Sequence, residues 1–251
     1  SSDVCSSDLY FYIDLTQNMK FKTLKYTFIL STILSSGIAS AQKVDEPRAI
    51  ALSNAMIQMF ATTHLNKPDA QIKMTALIQN VSEADIRKEN QQSLSTFASP
   101  TASMFATLEE QFGVSDFKVI KPAFEHQLKT QNSFYQSCKI SGKVAEQQND
   151  LLVPILCQIP DFDMNTLNIP ERRSSESDAQ FMARSIDTLS TSLDKAPKKA
   201  FPTHILIHRQ DQLYIPEMDS SQYFPGSITQ QISGTPEEEL DTQIDEEDAA
   251  P

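Results

Sequence analysis

The stretch YQSCKISGKVAEQQNDLLVPILCQI, residues 135–159, decides the fold. Tyr135–Val144 and Leu151–Ile159 both have strand character, and the polar run Glu146-Gln147-Gln148-Asn149-Asp150 between them reads as a turn. If Cys138 and Cys157 face each other across an antiparallel hairpin, Ile140 meets Ile155, Gly142 meets Val153 and Val144 meets Leu151. One face is then apolar throughout. The other sets Lys139, Ser141 and Lys143 against Leu156, Pro154 and Leu152. A slip of one residue would break this match, because side chains alternate along a strand. Pro154 has no N–H to give to a ladder, so its strand is expected at an edge or beside a bulge.

The cysteines form a bond only in an oxidising compartment, and the N-terminus points to one. From Met19, Lys20, Lys22 and Lys25 make a positive region, Tyr26–Ile38 a short apolar region, and Ala39-Ser40-Ala41 a cleavage site. Residues 19–41 thus read as a bacterial-type signal peptide, with the mature chain starting at Gln42. Ser1–Leu9, SSDVCSSDL, resembles the translated end of a sequencing adapter, so residues 1–18 read as artefact or read-through and Cys5 leaves the count. That leaves two cysteines, expected as one structural disulfide contributing about 3 kcal/mol.

Residues 42–235 are long enough for a single domain with a sizeable core. The net charge of −12 is concentrated in residues 236–251, which carry eight acids and no base. The acids and bases of residues 1–41 cancel, so the body keeps only −4. A body so nearly balanced, with only the isolated pairs Arg172-Arg173 and Lys198-Lys199, does not suit nucleic acid. The tail has Leu240 and Ile244 as its only larger apolar residues and is expected to be a disordered acidic tail, a solubilising segment or a cation- or partner-binding arm.

Along the rest of the chain, Asp45 and Pro47 open a helix that ends near His64. A turn at Asn66-Lys67-Pro68-Asp69 follows. Ile72, Met74, Ala76 and Ile78 alternate, which predicts a strand over 70–80. Ser82 to Asp85 resembles a capping box opening a helix to about Ala98, and a second helix, Thr101–Phe112, stops at Gly113. Phe117–Lys121 reads as a short strand and Pro122–Asn132 as ambiguous. Pro160–Arg173 reads as a loop and Glu176–Leu193 as the clearest amphipathic helix. Thr203–Arg209 and Gln212–Pro216 read as a second hairpin, with a polar loop from Asp219 into the tail. This order predicts an α+β fold: an antiparallel sheet that includes the disulfide-linked hairpin, packed with amphipathic helices.

Chemical motifs are sparse. On a strand His204 and His208 share a face about 13 Å apart, too far for one metal ion. Asp161-x-Asp163-x-Asn165 has the opening spacing of a calcium loop, but Thr166 stands where glycine is needed and Arg172 where a bidentate glutamate is needed. Ser192-x-x-Lys195 has the spacing of a serine–lysine pair without its companion elements. His64 and His126 have no nucleophile elbow to serve. No cofactor is expected. The sequence therefore reads as an exported, soluble, periplasmic or secreted protein without a membrane span after cleavage. It would bind a protein partner or a small apolar ligand and have no enzymatic activity. The alternative is a periplasmic hydrolase whose site is assembled only in the fold.

Overall fold

Residues 44–62, 68–91, 100–168 and 170–233 are described in the computed structural model of the chain. The leader, Cys5, His64, the helix end expected at Ala98 and the acidic tail lie outside the described residues. Within them the elements are α1 (Glu46–Thr62), α2 (Pro68–Gln79), α3 (Glu83–Gln91), α4 (Pro100–Phe112), α5 (Val114–Gln136), β1 (Lys139–Ile140), β2 (Ala145–Gln147), β3 (Asp150–Pro160), a 3-10 turn (Met164–Thr166), α6 (Asp178–Lys195), β4 (Lys198–Gln210), β5 (Leu213–Pro216) and α7 (Gly226–Ser233). The fold is α+β, with a five-stranded antiparallel sheet and a disulfide between Cys138 and Cys157.

The sheet is built on the long pairing of β3 with β4, from Asp150↔His208 to Pro160↔Lys198. Two prolines lie inside it, and hydrogen-bond parity explains why they are tolerated. The Pro154 carbonyl accepts from the Ser141 N–H at 2.9 Å. Pro154 therefore turns its backbone toward β1 and β2, and its missing donor is missing on that side. On β4 the carbonyls of His204 and Leu206 accept from the N–H groups of Phe224 and Glu217, away from β3. Pro202 shares their parity, so its missing donor also points off the β3–β4 ladder.

The absent Pro154 donor has a visible cost on its own side. Ile140 pairs with Ile155 as expected, but the next pair is Ala145↔Leu152, so residues 141–144 oppose only residues 153–154. Glu146, not Val144, meets Leu151, which corrects the expected register beyond Ser141. The strand expected over Tyr135–Val144 is reduced to Lys139–Ile140. Gly142 lies in this bulge, where an added Cβ would come within 3.0 Å of Pro154 Cγ. The excess is two residues, so face alternation survives it.

Cys157 hydrogen-bonds toward β4, so Cys138 and Cys157 form a non-hydrogen-bonded cross-strand pair, the closer kind. Their Cα atoms are 4.0 Å apart. Beside the disulfide, Ser137 Oγ accepts from the Gln158 N–H at 2.8 Å, closing the edge of β3 where no strand pairs with it.

One face of the sheet carries the core. Leu151, Val153, Ile155, Cys157, Ile159, Ile205 and Ile207 are wholly buried there. Phe224 reaches the same core and meets Phe60 and Tyr135 in edge-on ring contacts. Helix α1 packs on α2 and α5, and α5 packs on α4 and α6. Asp45 caps α1, accepting from the Arg48 N–H at 3.1 Å. Ser177 and Gln180 form the capping box of α6.

Three further expectations fail, each for a tertiary reason. Residues 68–79 form a helix rather than a turn followed by a strand. Ala70, Ile72, Met74 and Ala76 are all buried because α2 is covered on more than one side, and Ile72 and Ala76 meet Ile86 of α3. That coverage imitates strand alternation, and Pro68 is the first helical residue rather than part of a turn. Residues 114–136 form one continuous helix containing Pro122, where a strand and an ambiguous segment were expected. Phe117, Ile120, Phe124 and Leu128 recur at helical spacing and are buried. Their packing outweighs the roughly 3 kcal/mol that an internal proline costs a helix. Finally, the polar loop after Asp219 gives way to α7, held by the Thr203–Ser227 hydroxyl pair at 2.8 Å.

Candidate binding face

The face of the sheet opposite the core is the candidate site. Face alternation on β3 places Asp150, Leu152, Pro154, Leu156 and Gln158 there, and register adds Pro202, His204, Leu206, His208 and Ile215. Lys139 borders it beside Leu156. Leu156 is 38% exposed, while Leu152, Pro154 and Ile215 are half-buried. Pro202 and His204 are exposed. The result is an apolar centre of leucine, proline and isoleucine with imidazoles among it.

β2, β1 and Ser137 flank β3, while β5 and the segment from Glu217 to Phe224 flank β4, so the two long strands are paired on both sides and the short strands β1, β2 and β5 form the sheet edges.

His208 stands between two carboxylates: Nδ1 is 3.1 Å from Asp150 and Nε2 is 3.3 Å from Glu217. Partial burial would lower its pKa. The hydrogen bonds and charges of Glu217 and Asp150 outweigh that and raise it. Glu217 also accepts from the Asp219 N–H at 2.8 Å, so the cluster ties the start of β3 to the segment leaving β5.

A second clamp joins α5 to α6, where His126 Nδ1 is 2.7 Å from Asp187 and Nε2 is 3.0 Å from Asp194. The Asp187 hydrogen bond raises its pKa most, burial opposes it, and Asp194 adds to the rise. Carboxylates at both nitrogens favour the imidazolium form, in which neither nitrogen has a lone pair to take a proton. Both rings are arranged as ion-pair ties rather than as general bases.

The other sequence candidates scatter. Asp161 pairs with Lys199 at 3.0 Å, and the Asp163 carbonyl accepts from Thr166. Asn165 lies in the 3-10 turn. The Ser192 hydroxyl donates to the Thr188 carbonyl at 2.8 Å, one turn back along the α6 helix that also carries Lys195. Among the described residues, no group of three or more His, Cys, Asp or Glu side chains is placed to hold a metal ion, and no helix is long and apolar enough to cross a membrane.

Sequence reasoning placed His204 and His208 on one strand face and Leu152, Pro154 and Leu156 on another, without marking either as a binding surface. It missed Asp150, Glu217, Asp187 and Asp194 as histidine partners. Pairing the two hairpins with each other would have set Asp150 opposite His208; nothing local marks the His126 clamp. Compared with protein-family models, curated proteins and solved structures, the chain matches none.

Proposed function

We propose that the chain is an exported, periplasmic or secreted binding domain whose contact surface is the open face of its sheet. The observation that carries this reading is the exposed Leu156 at the end of the apolar row Leu152, Pro154 and Leu156, on the face of the sheet opposite the core. Exposed apolar surface of this kind, rimmed by polar groups, is characteristic of interaction sites. The signal-peptide reading of residues 19–41 and the Cys138–Cys157 disulfide favour an oxidising compartment. The carboxylates at both nitrogens of His126 and His208 suit these rings to ion-pair ties, which favours binding over hydrolysis.

The test is a photo-crosslinking amino acid placed at Leu156 in the full chain, with Glu110 on the exposed side of α4 as control. Binding through the face gives a discrete crosslinked product from position 156 and none from position 110. No product at 156, or equal products at both, would remove the reading.

A further inference from the structure

The open face has a polarity along its strands. One end holds Asp150 and Glu217, both against His208, with Asp219 adjoining. The other end holds Lys139, opposite Leu156. Between them lie Leu152, Pro154 and Pro202, with Leu206 buried beneath. Asp150 and Leu156 are six positions apart on one strand, about 20 Å. A surface that is acidic at one end, basic at the other and apolar between is complementary to itself under a two-fold rotation. A two-fold axis lying between the two sheets and parallel to them, perpendicular to the line from Lys139 to the Asp150–Glu217 end and passing near Pro154, sets Lys139 of each copy over the Asp150–Glu217 end of its mate.

We infer that the occupant of the face is a second copy of this chain, the two sheets stacking face to face as an isologous dimer. This inference rests on the binding-face reading above. Size suits a weak, concentration-dependent dimer. β3 and β4 are 11 and 13 residues long and are flanked only by the short strands β1, β2 and β5, so the face outlines on the order of 500 Å², below the ~800 Å² per partner of a standard interface. Shape supports it as well, since stacked sheets pack through interdigitating side chains about 10 Å apart. The edge strands are only 2, 3 and 4 residues long, which disfavours association into a continuous sheet. In this arrangement the lysine–carboxylate pairs set register and orientation, and the apolar row supplies affinity.

Sedimentation velocity of the full chain over a concentration series reads the dimer directly. A concentration-dependent dimer is expected. Leu156→Glu, at an exposed position, should weaken it at least tenfold while the melting temperature holds. Lys139→Glu should weaken it, and adding Glu217→Lys to Lys139→Glu should restore part of the loss. A chain that stays monomeric throughout, or a dimer indifferent to Leu156→Glu, overturns the inference. The mass of the product crosslinked through position 156 separates the two levels. Twice the chain mass supports the dimer, and any other mass overturns the dimer while leaving the binding face standing. No product at all removes both.

Discussion

Reducing the Cys138–Cys157 bond should weaken the fold by an amount that can be worked out in advance. The two residues are 19 apart in sequence. Chain-entropy reasoning gives roughly 3 kcal/mol for closing such a loop in the unfolded state. Both cysteines are buried, at 6% and 0% exposure, so the reductant must be present through a full cycle of unfolding and refolding. The loss should not grow much larger. The β3–β4 ladder runs independently of the disulfide, and Ser137 holds Gln158 at the same crossing. With a urea slope of about 2 kcal/mol/M, the unfolding midpoint should fall by about 1.5 M. Equilibrium unfolding followed by far-ultraviolet circular dichroism, oxidised against reduced, measures it. A shift below about 0.3 M would show that the bond constrains nothing the chain does not already do. Loss of any cooperative transition would show that the ladder depends on the bond, contrary to the register described above.

Two further outcomes test the fold more locally. Ile155→Ala, on the buried face, should cost about 2–5 kcal/mol, whereas Leu156→Ala on the open face should cost under about 0.5 kcal/mol; equal losses in thermal unfolding would refute the face assignment. At His126 the raised folded pKa means that its stabilisation is present in full below the usual imidazole value and is lost as pH rises through the folded value. The ring and its two carboxylates are partly exposed, so the effect is that of a surface ion pair, about 0.5–1 kcal/mol. His126→Gln should therefore flatten the decline in stability as pH rises above the usual imidazole value, and an unchanged slope would show that the clamp contributes nothing.

Residues 135–159 by themselves determined that Cys138 faces Cys157, that Ile140 meets Ile155, and that the odd-numbered residues of β3 turn inward. These follow from two-residue alternation and one crosslink, both local properties. The same stretch warned of a bulge at Pro154 through its missing N–H. What it could not contain was the direction of that missing donor, which depends on which neighbour strand Pro154 faces. The tertiary structure also decided that α2 and α5 are helices. Burial of α2 on several sides erased its helical stripe, and the packing of α5 overrode Pro122. The same holds for the open face. Leu152, Pro154 and Leu156 were legible as one side of a strand. That this side is the uncovered one, and that Asp150 and Glu217 close around His208 there, depended on β4 pairing with β3 across the whole stretch of chain from residue 161 to residue 197. Local spacing records which residues share a side, while only packing decides which side meets the core.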